Sequence, residues 1–195
     1  MAGAAGPRCG LCVGSENKPL RILCRLAARC RSVLAVLSTP PPVAKTILTE
    51  ADYGTMNWLD NAVHAIAWEP LPDNPGRLLL DIDYILQWAA AEPSATTLSF
   101  WISPATLVFD PAWDLITDID RTGWGFQLFL GAIRRSEPDE RGNYDWTLDG
   151  DGITISLGAP GFTQYLRRPP VHCPRHALSV EERGGFSFDR CSYTP

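Results

Sequence analysis

The chain has 195 residues, 45% of them apolar, with seven Trp, seven Phe and a formal net charge of −5. That is enough for one domain with a sizeable core and excludes global disorder, and the acidic balance offers no basic patch for nucleic acid. The average hides a split: residues 1–45 carry seven basic residues and one acid, net +6, whereas the remainder carries ten arginines, no lysine and 21 acids, net −11.

The first 45 residues read as a basic, cysteine-containing leader, either disordered or outside the natural product, and residues 46–195 as a single globular domain. Ala, Gly, Arg, Pro and Cys in a run suit translation from GC-rich DNA upstream of a true start. A targeting segment and a functional basic tail are the other two readings. A membrane span is excluded there, because Arg21, Arg25, Arg29 and Arg31 interrupt any apolar window of the ~20 residues a bilayer needs. Four cysteines (Cys9, Cys12, Cys24, Cys30) lie in this leader at spacings that match no standard zinc module, and only Cys173 and Cys191 follow. A disulfide framework would staple the core, so a reducing cytoplasm is expected.

After Lys45 the punctuation is regular. Ala62–Trp68 predicts a strand, closed by the turn cluster Pro70–Gly76. Arg77–Asp83 predicts a second strand, with Leu78, Leu80 and Ile82 on one face and Leu79, Asp81 and Asp83 on the other; Tyr84–Ala90 either continues it or bends into a helical turn. Thr97–Ile102 and Ala105–Phe109 flank Ser103-Pro104, where proline argues for a break or an edge. Trp113–Asp120 and Phe126–Ile133 alternate next, and Ser136–Asn143 is a polar loop. Tyr144–Leu157 predicts a hairpin turning at Asp149-Gly150-Asp151-Gly152, and Ser179–Arg183 a short helix. With no helix long enough for a parallel crossover, the fold class is mostly β: an antiparallel sandwich or strongly curled meander sheet with one or two short helices.

The stretch Asn57–His64 (NWLDNAVH), with LLLDIDYILQW, SPATLVF and GFTQYLRR downstream, resembles an uncharacterised family of small bacterial proteins over roughly residues 47–183. Members open with Trp-His-Asp-Asn and continue into Leu-Asp-Ile-Asp-Tyr-Ile and Pro-Ala-Thr-Leu-x-Phe strands. The opening is also similar to that of bacterial immunity proteins, which neutralise toxins by binding. Leu59 stands where the resemblance implies histidine, so a role for that imidazole is not carried over.

Trp58, Asp60, Asn61 and His64 form the densest polar group beside a strand. Asp60 could orient His64 as a base or ligand; the structural alternative has Asp60 or Asn61 cap the turn while His64 packs at a sheet edge. The pairs Asp81/Asp83 and Asp118/Asp120 each place two carboxylates on one strand face. If the two strands were neighbours, four carboxylates could hold a cation. The preferred reading makes both pairs the solvated outer faces of amphipathic strands. His172-Cys173-x-x-His176 reads as a fortuitous loop, because Pro169, Pro170 and Pro174 deny it a helix. No P-loop, nucleophile elbow or dinucleotide fingerprint is present. The expectation is a non-catalytic binding domain with no cofactor or metal, a basic protein partner, and no nucleic acid or membrane. Its candidate binding residues are Trp58, Asp60, Asn61, His64, Asp81 and Asp83. The alternative is a metal-dependent hydrolase using the Asp pairs and His64.

Overall fold

The computed structural model describes residues 39–195 apart from residue 73, residues 91–97 and residues 121–124. In chain order the elements are β1 (Ile47–Thr49), a 3-10 helix (Glu50–Thr55), β2 (Asn61–Leu71), β3 (Asn74–Ala90), β4 (Leu98–Phe109), β5 (Trp113–Ile119), β6 (Leu128–Arg135), β7 (Tyr144–Asp151), β8 (Ile153–Ala159), β9 (Thr163–Leu166), β10 (Val171–Cys173) and the single-turn helix α1 (Val180–Arg183). All ten strands pair antiparallel in one sheet of order β1-β9-β4-β3-β2-β6-β7-β8-β5, with β10 also on β4. The sheet curls without closing: the turn ahead of β5 returns to the start of β3, where Ala112 N–H donates to Gly76 O at 2.9 Å. Among the described residues no helix is long and apolar enough to cross a membrane. The readings of the leader fall almost wholly on residues 1–38, outside the described residues. Of its last stretch, Val43 packs on the core and Lys45 reaches Asp52 at 2.5 Å, so the ordered packing begins before residue 46.

The alternation read in the sequence places the inner core. Leu78, Leu80, Ile82 and Tyr84 of β3 pack with Leu107 and Phe109 of β4 and with Leu130, Trp146, Leu148, Ile155 and Leu157 from the other half of the curl. Phe109, Trp146 and Phe162 meet edge-on or tilted at centroid distances of 5.5–6.0 Å, the arrangement that ring quadrupoles favour. Arg135 lays its guanidinium over Tyr53 and Tyr144, at 4.5 and 4.4 Å from their centroids, and pairs with Glu50, which ties the 3-10 helix to the strand end. The hairpin forms where Asp-Gly allows it: Gly152 has φ 73°, and Trp146 faces Leu157 while Leu148 faces Ile155.

One alternative is decided and two expectations are corrected. Tyr84–Ala90 continues the strand and does not bend into a helical turn, so β3 is one long strand. Ser103-Pro104 interrupts nothing: β4 runs through it, with Pro104 opposite Asp83. Proline is tolerated there because its carbonyl accepts from Arg167 N–H on the side away from β3, and a strand residue's N and O point to the same side. That side is the gap between β9 and β10, where no ladder bond is forfeited. His172 and Cys173 are also no idle loop. They form β10 against Trp101 and Phe100, and buried Cys173 joins Ile85, Phe100, Ile102 and Leu178 in a second, smaller core on the opposite face of the sheet.

Gly150 of β7 lies against the β6 backbone with no room for a side chain. A Cβ there would stand 1.9 Å from the Phe129 carbonyl oxygen, whereas one on Gly54 would meet nothing within 4 Å. Gly150→Ala is therefore expected to cost about 3 kcal/mol and Gly54→Ala to stay within about 0.5 kcal/mol, measured by urea unfolding of the two variants.

Candidate functional site

Strand geometry sets the site. Leu79, Asp81, Asp83 and Ile85 share the outer face of β3, and the segment from Leu178 to Ser187 meets that face, so both carboxylates are fully buried. The expectation that Asp81 and Asp83 form a solvated face is corrected: the alternation was read properly, but the face is covered. Two ionised carboxylates two residues apart, out of water, require cationic partners.

Arg167, just past β9, and Arg183, ending α1, supply them. Arg183 Nη1 and Nη2 donate to Asp81 Oδ2 and Oδ1, both at 2.7 Å, and Arg167 Nη2 donates to Asp81 Oδ1 at 2.5 Å. The Ser187 N–H adds a bond to Oδ2 at 3.0 Å. Arg183 Nε reaches Asp83 Oδ1 at 3.2 Å, while Asp83 Oδ2 accepts from the Leu178 N–H at 2.8 Å and from His64 Nε2 at 2.9 Å. A carboxylate that is ionised only accepts, so it pairs with the tautomer of His64 that has its hydrogen on Nε2. Every oxygen of both carboxylates has a donor, and one guanidinium spans both acids with its fork. Arg167 also donates to Thr106 Oγ1 at 2.8 Å and to the Ser187 carbonyl, stitching β4 to the C-terminal segment.

Local sequence explains the placement. Ser179 caps α1, accepting from Glu182 N–H at 3.2 Å, while Glu182 accepts in return from Ser179 N–H at 2.7 Å. Gly184 ends the helix at φ 77°, the left-handed conformation glycine adopts without strain. One turn, closed at both ends, aims Arg183 at β3. On β2 the register shifts between Val63 and Ala65, a bulge with His64 as the extra residue. The bulge lets both Val63 and Ile66 face the inner core and turns His64 toward Asp83.

Burial alone would raise the Asp81 carboxyl, but hydrogen bonds and charge from Arg183 and Arg167 outweigh it and hold its pKa below the ordinary aspartate value. Burial likewise favours loss of the Arg183 proton, and Asp81 and Asp83 more than reverse that.

Of the six candidate binding residues, the structure brings His64, Asp81 and Asp83 together. Trp58 is buried in the inner core, its indole donating to Gln164 Oε1 at 3.1 Å. Asn61 is buried as well: its Oδ1 accepts from Ile85 N–H at 3.1 Å, and its Nδ2 has no partner among the described residues. Asp60 occupies the turn at φ 61° and, among the described residues, makes no hydrogen bond or ion pair with His64; it is Asn57 whose Oδ1 caps that turn through Leu59 N–H at 3.0 Å. Asp118 and Asp120 lie exposed on and just after β5, the outermost strand on its side, so the two Asp pairs do not converge. Sequence reasoning missed Arg167 and Arg183. The signal was Leu79 and Ile85 flanking the two acids on the same face, which marks that face as buried and calls for cations.

No family model, curated protein or solved structure matches this chain.

A buried network of this kind is expensive to break from one side. Arg183→Met and Asp81→Asn should each cost about 3–5 kcal/mol in urea unfolding, because each leaves uncompensated buried charge. The depressed Asp81 pKa makes a stability contribution that is fully present above the ordinary aspartate pKa and lost as pH falls through the folded value. Acid titration of Asp81→Asn should therefore show a flatter loss of stability below about pH 4 than the parent.

Proposed function

We propose that residues 39–195 act as a non-catalytic binding protein, of the immunity-like kind that neutralises a basic protein toxin. The observation that carries this reading is the burial of Asp81 and Asp83 and the engagement of all four of their oxygens by groups of the fold. The acids that a hydrolase built on the Asp pairs and His64 would need already accept from Arg167, Arg183, His64 and two backbone amides. Asp81 accepts four bonds and Asp83 three, all from groups of the fold, and both acids are closed off from solvent, which favours a role in cohesion over cation binding or proton transfer.

What remains for function is the surface, whose excess of acids over arginines favours encounter with a cationic partner. The resemblance to small bacterial proteins with an immunity-like opening points the same way. The proposal places the protein in a bacterial cytoplasm, where the thiols of Cys173 and Cys191 persist.

Co-expression with the product of the adjacent upstream gene tests the proposal. The expected outcome is restored growth together with a stoichiometric complex on size-exclusion chromatography, its affinity falling as salt rises. Restored growth without a complex, with the partner chemically modified instead, would contradict it.

A further inference from the structure

The two edges of the sheet are unlike. β1 is three residues long and stands beside Lys45, whereas β5 is seven residues long and, among the described residues, pairs only with β8. Short length and lysine blunt an edge, and β5 has neither; its one irregularity is the bulge between Trp113 and Ile116, where Asp114 has φ 50°, and from Ile116 to Ile119 the ladder to β8 is regular. Along that regular stretch the backbone groups facing away from β8 have no strand partner among the described residues, and Ile116 and Ile119 beside them are 69% and 49% exposed. Asp114, Asp118 and Asp120 stand along this edge with no hydrogen bond or ion pair among the described residues. A groove of about 280 Å³ adjoins its first residues, walled by Trp113, Leu115, Pro70, Pro75 and a half-exposed Trp68 from the β2–β3 hairpin.

We propose that β5 is a docking edge for an extended segment of a basic protein partner, which adds as a further strand and places its leading apolar residue in the groove. This rests on the binding-protein reading above. Strand addition takes its affinity from main-chain bonds and its selectivity from alternate side chains. Asp118 stands on the outward face, in register with Thr154 of β8 and, through it, with Asp149 of β7, so cationic residues on that face of an added strand meet carboxylate. Ile116 shares that outward face with Asp118 and gives room to the aliphatic stem of a lysine or arginine, while on the other face the new strand meets Leu115, Thr117 and Ile119, which suits apolar residues. The matching segment therefore alternates basic and apolar positions. A second copy of this chain is a poor occupant, because antiparallel self-pairing centred on Ile116 or Thr117 sets Asp114 opposite Asp118 or Asp120.

The probe is the peptide Ac-Lys-Val-Lys-Val-Lys-Val-Lys-Val-NH₂, titrated into the full chain and followed by backbone amide shifts. Its controls are the same peptide N-methylated at alternate residues, with identical charge, and the Glu-for-Lys version. The expected result is shifts concentrated on Asp114–Ile119, with binding weakened at least about tenfold by N-methylation and by Asp118→Lys, whose melting temperature stays at the parent value. Equal binding of the N-methylated peptide, or shifts centred elsewhere, overturns the docking edge and leaves only general attraction between opposite charges. The upstream gene product separates the two levels. A complex that survives Asp114→Lys/Asp118→Lys unchanged overturns this surface while the binding reading stands. No complex with the parent, while the peptide still docks on β5, overturns the binding reading alone.

Discussion

Two carboxylates on one strand, closed off from water, are the constraint on which the rest of this structure depends. Asp81 and Asp83 cannot remain ionised on a covered face without cations, and burial of the face cannot proceed without the segment that carries one of them. Arg183 answers both demands, since its guanidinium bridges the acids and its helix brings Leu178 onto the second core. Removing water and supplying charge are thus one event. The C-terminal segment is part of the fold because β3 carries these two acids.

The remaining irregularities serve this arrangement. The bulge on β2 directs His64 to Asp83 while keeping Val63 and Ile66 in the inner core. Pro104 sits where the chain leaves β9 and returns as β10, and Ser103 Oγ donates to the Arg168 carbonyl there at 2.6 Å, holding that departure in place. Arg167 lies at the same crossing and reaches Asp81 from it. A sheet covered on its second face by a segment with little regular structure needs such point attachments, because it has no second ladder to hold it.

The strands of the inner core were legible because their alternation is local: a period of two over six to eight residues is enough to mark Leu78–Tyr84 or Tyr144–Leu157. The second face was not legible in the same way. Leu79, Asp81, Asp83 and Ile85 show that the face is mixed, but what covers it comes from residues about a hundred positions later that have no periodic pattern. Arg167 and Arg183 are 86 and 102 residues from Asp81, and nothing local links them. The candidate site suffered for the same reason. Asp60 and Asn61 looked like partners of His64 because they are near it in sequence, whereas its partner is Asp83, 19 residues away on the neighbouring strand.

With its most conspicuous acids spent on internal cohesion, the binding we propose falls to what the chain leaves exposed, the acidic side at β5. The division holds only if the carboxylate–arginine network is a fixed part of the native state. Native-state hydrogen exchange at the Leu178 and Ser187 amides, which donate to Asp83 and Asp81, tests this most directly. The account predicts that both exchange only through global unfolding, with the same free energy as amides of the inner core. Exchange of these two amides through a low-energy local opening, while Leu80 and Leu148 stay protected, would show that the C-terminal segment detaches and would contradict it.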